Sequence, residues 1–373
     1  MRRRSITPYL LLAGLLAIFA AFLIYPIWLT IYSGFESAEG GFTLYHVLDV
    51  FKDDATRRGL LNAFGIAIGT TALSLVIALP LAVLAARFDF PGKGAMSALI
   101  LVPLILPPFV GAIGLHHLLG RSGAINALLI DLGFIDQGVD FVGQGGFFAI
   151  IFIEALHLYP ILYLNATAAL ANLDPALEEA AENLGASPWR RFKDIVLPLI
   201  RPGLFAGATI VFIWSFTELG TPLMFNYQDV TPVQIFNGIK EMEASKQPYA
   251  LTAVLLGCAI LFYVLGKLVF GGKAYVMYSK ASIQSKPKRL GGMLGLGALL
   301  SFIFVIGLAV LPHISVVFTS LSVEGSWYES VFPKGWTLRH YDQALSHPLS
   351  VDSIQNSLLY SFFAVILDII IGL

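Results

Sequence analysis

The side chains best placed to do chemistry are ionisable groups stranded in apolar surroundings. Glu154 and His157 stand three residues apart, beside Tyr159, Pro160 and Tyr163, in a run with no other charge. At helical spacing they share one face. A charge at membrane depth is costly, so it usually faces a bundle interior or a watery cavity, where it can meet a passing polar solute. An interhelical hydrogen bond that only fixes packing accounts for this pair equally well. Glu218 lies in Trp214-Ser215-Phe216-Thr217-Glu218-Leu219-Gly220-Thr221-Pro222. Gly220 and Pro222 interrupt a helix there, and unwound backbone at membrane depth is tolerated only when buried or lining a cavity. Glu154, His157 and Glu218 are therefore the expected translocation-path residues.

Other chemistries find little support. No G-x-x-x-x-G-K-[ST] loop occurs, since Gly92-Lys93-Gly94 and Gly272-Lys273-Ala274 lack the spacing and the hydroxyl. No His-Glu-x-x-His pair points to an intramembrane enzyme either. Cys258 is the sole cysteine, which excludes intrachain disulfides and cysteine-based zinc sites. His46 and His340, in polar loops, fit loop hydrogen bonds better than metal ligation, and His116-His117 is similarly weak. No catalytic or metal residue and no resident cofactor is expected.

The elements that hold these residues are apolar helices. The 373 residues are 57% hydrophobic and 13% charged, against roughly 25% charged in soluble domains. The net charge of −1 gives no reason to expect a nucleic-acid partner. Runs near 9–32, 60–86, 95–119, 147–170, 203–225, 249–270, 291–319 and 354–373 each approach the ~20 residues needed to cross a bilayer as a helix. The first is too long for a signal peptide and lacks a cleavage site. The expected fold is all-α and polytopic, with about eight transmembrane spans and the bilayer as solvent. Residues 120–146, rich in glycine, are read as a surface helix or a re-entrant piece.

With the N-terminus inside, the inner face holds fourteen basic residues, among them Arg2, Arg3, Arg4, Arg87, Lys93, Arg190, Arg191, Lys273, Lys280, Lys286, Lys288 and Arg289. The outer loops hold eight, with Asp49, Asp53, Asp131, Asp136, Glu241 and Glu243 among their acids. The positive-inside rule then predicts a cytoplasmic N-terminus and a cytoplasmic 174–201 loop.

That loop reads as helix, turn, helix. Asp174 can cap the first helix with Pro175 at its first position, while Glu178 and Glu179 favour its positive end. Gly185 is placed to stop it in the left-handed conformation. Ser187 and Pro188 restart the chain, and Pro198 is expected to end it. Leu177, Ala181 and Leu184 form one apolar stripe, and Trp189, Phe192 and Val196 a second. Such a hairpin can insert into a partner's pocket or lie on the membrane surface.

The chain also resembles itself. Phe42-Thr43-Leu44-Tyr45-His46 matches Trp336-Thr337-Leu338-Arg339-His340, and Asn62 matches Asn356 at the same offset of 294 residues. Pro26 and Pro312 sit similarly upstream. Duplication is the better reading, with 1–290 a first six-span half and 291–373 the incomplete beginning of a second. The apolar run that reaches Leu373 carries no polar terminator, which reads as truncation, the alternative being a short final helix that ends at the cytoplasmic face.

Glu179-Ala180-Ala181, three residues, Gly185, nine residues, then Ile195-x-Leu197-Pro198 resembles the EAA motif of permease subunits of type I ABC importers at every defining position. The resemblance implies that family's permease fold and a loop that docks a cytoplasmic ATPase dimer. Glu179, Ala180, Ala181, Gly185, Ile195, Leu197 and Pro198 would be the docking residues, with ATP and Mg bound by the partner. It also implies an extracytoplasmic solute-binding protein and a place in the inner membrane. The two-copy pattern resembles fused ferric-iron permeases, where a second such loop is expected beyond the last residue here. Thr221-Pro222-Leu223-Met224-Phe225 and Thr231-Pro232-Val233-Gln234-Ile235-Phe236 resemble the same permeases, so iron is the expected solute. Polyamine, phosphonate and thiamine import are the alternatives. An ion-coupled secondary transporter would need coupling carboxylates and leaves the docking pattern unexplained.

Overall fold

Eleven consecutive residues, Ile153 to Tyr163, are buried on every side of one helix, so the middle of the bundle can be located from this segment alone. A computed structural model describes residues 7–37, 40–142, 146–240, 245–270 and 287–372. Arg2, Arg3, Arg4, Lys273, Lys280, Lys286, Glu241 and Glu243, counted above, lie outside them. Among the described residues, seven helices are long and apolar enough to cross a membrane, and a bent pair raises the number to eight.

In chain order the principal helices, spanning and short, are α1 (Tyr9–Gly34), α2 (Asp54–Arg87), the bent pair that includes α3 (Pro108–Leu119), the central α4 (Phe147–Ala171), then the short α5 (Pro175–Asn183), α6 (Leu197–Phe216) and the short α7 (Gly220–Met224). They are followed by α8 (Thr231–Lys240), α9 (Gln247–Phe270), α10 (Gly292–Leu321) and α11 (Pro348–Gly372). The central α4 packs between α2 and α6, and α10 crosses α3. Lipid supplies no hydrophobic drive between helices, so close van der Waals fit and interhelical hydrogen bonds hold the bundle. By contrast, α11 has no buried residue, and α1 buries only Gly34, against Tyr249 and Ala250 of α9.

The expected third span, 95–119, is present as a bent pair and not as one straight helix. The helical stretches Lys93–Ile105 and Pro108–Asp131 meet at 93°. Pro107 has no N–H to give the Pro103 carbonyl four residues back, and Leu106 and Pro107 turn extended instead. Residues 120–146 contribute a short helix, Ala124–Asp131, continuing from α3.

Contacts across the chain define two faces. Arg87 at the end of α2 pairs with Glu178 of α5 at 2.6 Å. Beside it β1 (Phe88–Asp89) and β2 (Lys288–Arg289) run parallel, Phe88 opposite Lys288. At the other face Lys246 pairs with Glu36 at 2.7 Å, Asn62 donates to the Asp229 carbonyl, and Gln234 donates to that of Ala55. There Asp53 caps α2 by accepting from the Thr56 N–H at 2.8 Å, which holds its carboxyl below the usual aspartate range. The cap is therefore complete above the unfolded-state pKa and lost as pH falls through the lowered one.

The two similar sequence segments adopt the same local pattern. Thr43 N–H donates to Phe35 and Thr337 N–H to Leu321; each threonine hydroxyl then accepts from the N–H two residues on, at 3.1 Å. The short helices Tyr45–Lys52 and Arg339–Ser346 follow, and α2 and α11 begin 294 residues apart. His340 donates through Nε2 to the Ser322 carbonyl at 3.0 Å, while His46 lies edge-on to Tyr45.

Candidate functional site

The hairpin of residues 174–201 is built from caps. Asp174 accepts from the Ala176 N–H at 3.0 Å and Pro175 opens α5. At its far end Gly185 has φ +81°, its N–H donating to the Glu182 carbonyl at 2.8 Å and the Ala186 N–H to that of Ala181 at 2.9 Å. These two bonds are the Schellman stop, which satisfies carbonyls that a helix end leaves free. Ser187 then accepts from the Arg190 N–H, restarting the chain. Glu182 and Arg191 form an ion pair that clamps the two limbs together.

The hairpin presents an apolar tip with charged flanks. Leu184 is 88% exposed and Trp189 70% exposed, the indole stacked near Phe192 at 6.0 Å between centroids. Glu179, Ala180 and Gly185 are exposed and Ala181 is half-buried. Behind them the chain turns inward: Val196 and Ile200 are fully buried, Ile195 and Leu197 are half-buried, and Pro198 is exposed. The motif thus spans an exposed tip and its anchored root.

Two expectations fail at that root. Pro198 does not end the second limb, because Phe192–Val196 forms a π-helical turn whose last bond runs from the Leu197 N–H to the Phe192 carbonyl. The register shift places Pro198 at the start of α6, where a missing N–H costs little. The same shift sends Val196 into the core, away from Trp189, so the expected second apolar stripe is divided.

A second group of polar residues lies deep in the bundle. Glu154 of α4 is 1% exposed and accepts from Ser215 of α6 and, at 3.4 Å, from Thr70 of α2. Its other oxygen has no partner among the described residues. One carboxyl group therefore joins three spans. His157, 6% exposed, lies 2.7 Å through Nδ1 from the Pro103 carbonyl. That carbonyl is the one orphaned by Pro107, so Nδ1 must carry the proton, and His157 fastens α4 to the bend. Its ring also meets Trp214 edge-on at 6.2 Å.

Glu218 is half-buried at the gap between α6 and α7, close enough to Glu154 to interact electrostatically. Its Oε1 accepts from the Gly220 and Thr221 N–H groups at 3.1 and 3.3 Å, capping α7. The interruption expected near Gly220 thus falls at residues 217–219, beginning with exposed Thr217 and preceded by exposed Trp214. His116 and His117 meet aromatic rings, Phe225 and Trp327.

Glu154→Gln keeps an acceptor for Ser215 and Thr70, whereas Glu154→Leu removes it. Thermal unfolding in detergent is expected to leave the glutamine variant close to the parent and to destabilise the leucine variant by about 1–3 kcal/mol. Equal stability of the two variants would show that the hydrogen bonds carry nothing.

Sequence reasoning missed Arg87, Thr70, Ser215 and Pro103. Arg87 was visible only as one positive charge among several. The other three are ordinary in their own segments and matter only through residues some 50 to 85 positions away.

Residues 78–277, more than half the chain, match the family described as binding-protein-dependent transport system inner membrane component. The chain is 28% identical over 323 residues to the ferric transport system permease protein FbpB of Actinobacillus pleuropneumoniae, covering 83% of this chain and 44% of that one. It is 30% identical over 218 residues to the molybdenum transport system permease protein ModB of Haemophilus influenzae, covering 56% of this chain and 91% of that one. The chain thus spans a little under half the length of the ferric permease it matches. Among solved structures, a bacterial ABC transporter that imports the acidic polysaccharide alginate contains a chain of similar fold. The TM-score is 0.56 at 19% identity, covering 72% of this chain and 96% of that one.

Proposed function

The chain belongs to the binding-protein-dependent transport system inner membrane components, multi-pass permeases of ABC importers that are not themselves ATPases, and from that premise we propose that it carries ferric iron inward across the membrane. One observation bears most of this reading: an apolar tip, Leu184 and Trp189, held in solvent by a glycine-stopped hairpin whose root is buried in the bundle.

In this reading the hairpin face is cytoplasmic and docks an ATPase dimer through Glu179, Ala180, Ala181 and Gly185, while Ile195, Leu197 and Pro198 anchor it. The Arg87–Glu178 ion pair passes hairpin motion to α2, and the continuous run from Pro188 into α6 passes it to the fifth span. At the opposite face a solute-binding protein delivers the cargo. Glu218, beside the exposed break between α6 and α7, faces the path, and Glu154 and His157 hold the wall behind it. The matching loop geometries 294 residues apart support a first half at 1–290 and the beginning of a second at 291–373. Ferric iron is favoured because the ferric permease similarity runs across both segments, whereas the molybdenum permease similarity covers little more than half of the chain.

The test is affinity capture of the tagged protein from membranes, followed by reconstitution with whatever co-purifies. The expected result is a cytosolic ATPase in the eluate and uptake that requires ATP and a ferric-binding protein. Uptake driven by an ion gradient with no ATPase would sink the reading, and molybdate or sulfate uptake would correct the solute.

A further inference from the structure

Between α2, α6 and α9 lies an open groove of about 510 Å³, within the roughly 300–1,000 Å³ of small-molecule sites. Phe64, Phe212 and Phe262 close one end of it, with Phe64 and Phe262 stacked at 4.4 Å. Leu75, Leu204 and Ala208 continue the wall. The other end opens at Arg201, eleven residues from Phe212 along α6, a reach of roughly 16 Å.

That open end is cationic and aromatic. Arg201 is exposed; it donates to the Val269 carbonyl at 2.6 Å and lies 5.3 Å from the centre of the Phe270 ring. Lys267, one turn before Phe270 on α9 and just outside the groove's own lining, is exposed over the ring of Tyr263, a wall residue, at 6.0 Å. Neither cation has a carboxylate partner among the described residues. Arg201 spends one of its five N–H donors on Val269, which leaves the rest of the fork for an anion.

We propose that this groove is a binding site for one anionic phospholipid, an acyl chain lying against the phenylalanine end and the phosphodiester held by Arg201 and Lys267. The charge pattern selects this occupant. A packing helix would bury Arg201 without a counter-charge, which is expensive, and a zwitterionic lipid would present its own cation to two others. Basic pockets between spans at the cytoplasmic side are the usual place for anionic headgroups, and aromatic rings at that level match the interfacial belt. The site is separate from the hairpin tip and from the Glu154 group, and its placement rests on the cytoplasmic orientation of the hairpin face proposed above.

The test uses the full-length protein with its partner ATPase in nanodiscs of phosphatidylcholine containing a phosphatidylglycerol probe with a photoreactive acyl chain. Photolysis and peptide mapping are expected to place the label on the 204–212 and 262–266 segments. Because each basic residue near the surface counts for about fivefold, Lys267→Gln should reduce labelling about fivefold and the Arg201→Gln/Lys267→Gln pair more than tenfold. Lys267→Gln touches no packed residue, so it reads the effect even if the double variant folds poorly. Equal labelling by a phosphatidylcholine probe, or labelling indifferent to Lys267, would overturn the proposal. Absence of label from the groove would do the same.

Discussion

Leu184→Asp is expected to abolish recovery of the ATPase with the permease, a loss on the order of tenfold or more, while leaving thermal stability unchanged. Leu184 is 88% exposed, so a carboxylate there disturbs no packing within the chain, yet it sits at the apolar tip beside Trp189. Apolar anchors of this kind carry most of an interface's energy, and a buried unpaired charge is among the costliest replacements. Gly185→Ala should act differently. A methyl group there meets no atom within 4 Å, but φ is +81°, and holding alanine in that conformation costs roughly 1–2 kcal/mol. The stop at Ala181 and Glu182 would loosen and the tip would point elsewhere, so ATPase recovery should fall in part. Arg87→Gln should leave the ATPase bound and lower uptake, because it cuts the tie between α5 and α2. Wild-type ATPase recovery by Leu184→Asp, measured by quantitative co-purification, would exclude the tip as the docking surface.

Gly114→Ala is expected to destabilise the crossing of α3 and α10 by about 1–3 kcal/mol, the range of forced overpacking. A Cβ at Gly114 would lie 1.8 Å from the Pro312 carbonyl oxygen and 2.5 Å from its carbon. Both atoms are backbone, so only separation of the helices relieves the clash. Separation would also break the bond from Ser315 Oγ to the Gly114 carbonyl, 2.9 Å long and fully buried. Gly111→Ala provides the comparison. Its nearest neighbours, at 3.1 Å, are side-chain atoms of His313 and Ile153, which can shift, so its cost should be smaller. Calorimetric unfolding of the two variants in the same detergent decides the point; equal stabilities would mean that the crossing is not held at Gly114.

What could be foreseen from the residues follows from how local each cause is. Asp174, Gly185 and Ser187 act on N–H and C=O groups two to five positions away, so their caps and the left-handed stop were legible as written. Glu154 and His157 were recognisable because charge is rare in lipid. What each of them binds was not, since Thr70, Ser215 and Pro103 come from other spans. The bend at Pro107 is invisible to the hydropathy of the 95–119 run, in which proline counts as nearly neutral. Its real cue is the carbonyl four residues back, which needs an outside donor. Pro198 misled in the opposite direction, because a π-helical turn removes the conflict that normally makes proline a stop. Arg87 pairs with Glu178 across 91 positions, and only the fold of α2 against α5 could show it.

The most direct test of the central claim is site-specific cross-linking from the hairpin tip in intact membranes. With Cys258→Ala removing the only native thiol, Leu184→Cys and, at the opposite face, Lys246→Cys each carry a short photoreactive maleimide. The account predicts a cross-link from position 184 to a cytoplasmic ATPase, strengthened or weakened by nucleotide, and none to that ATPase from position 246. An ATPase adduct from 246, or labelling of 184 only by lipid, would contradict it.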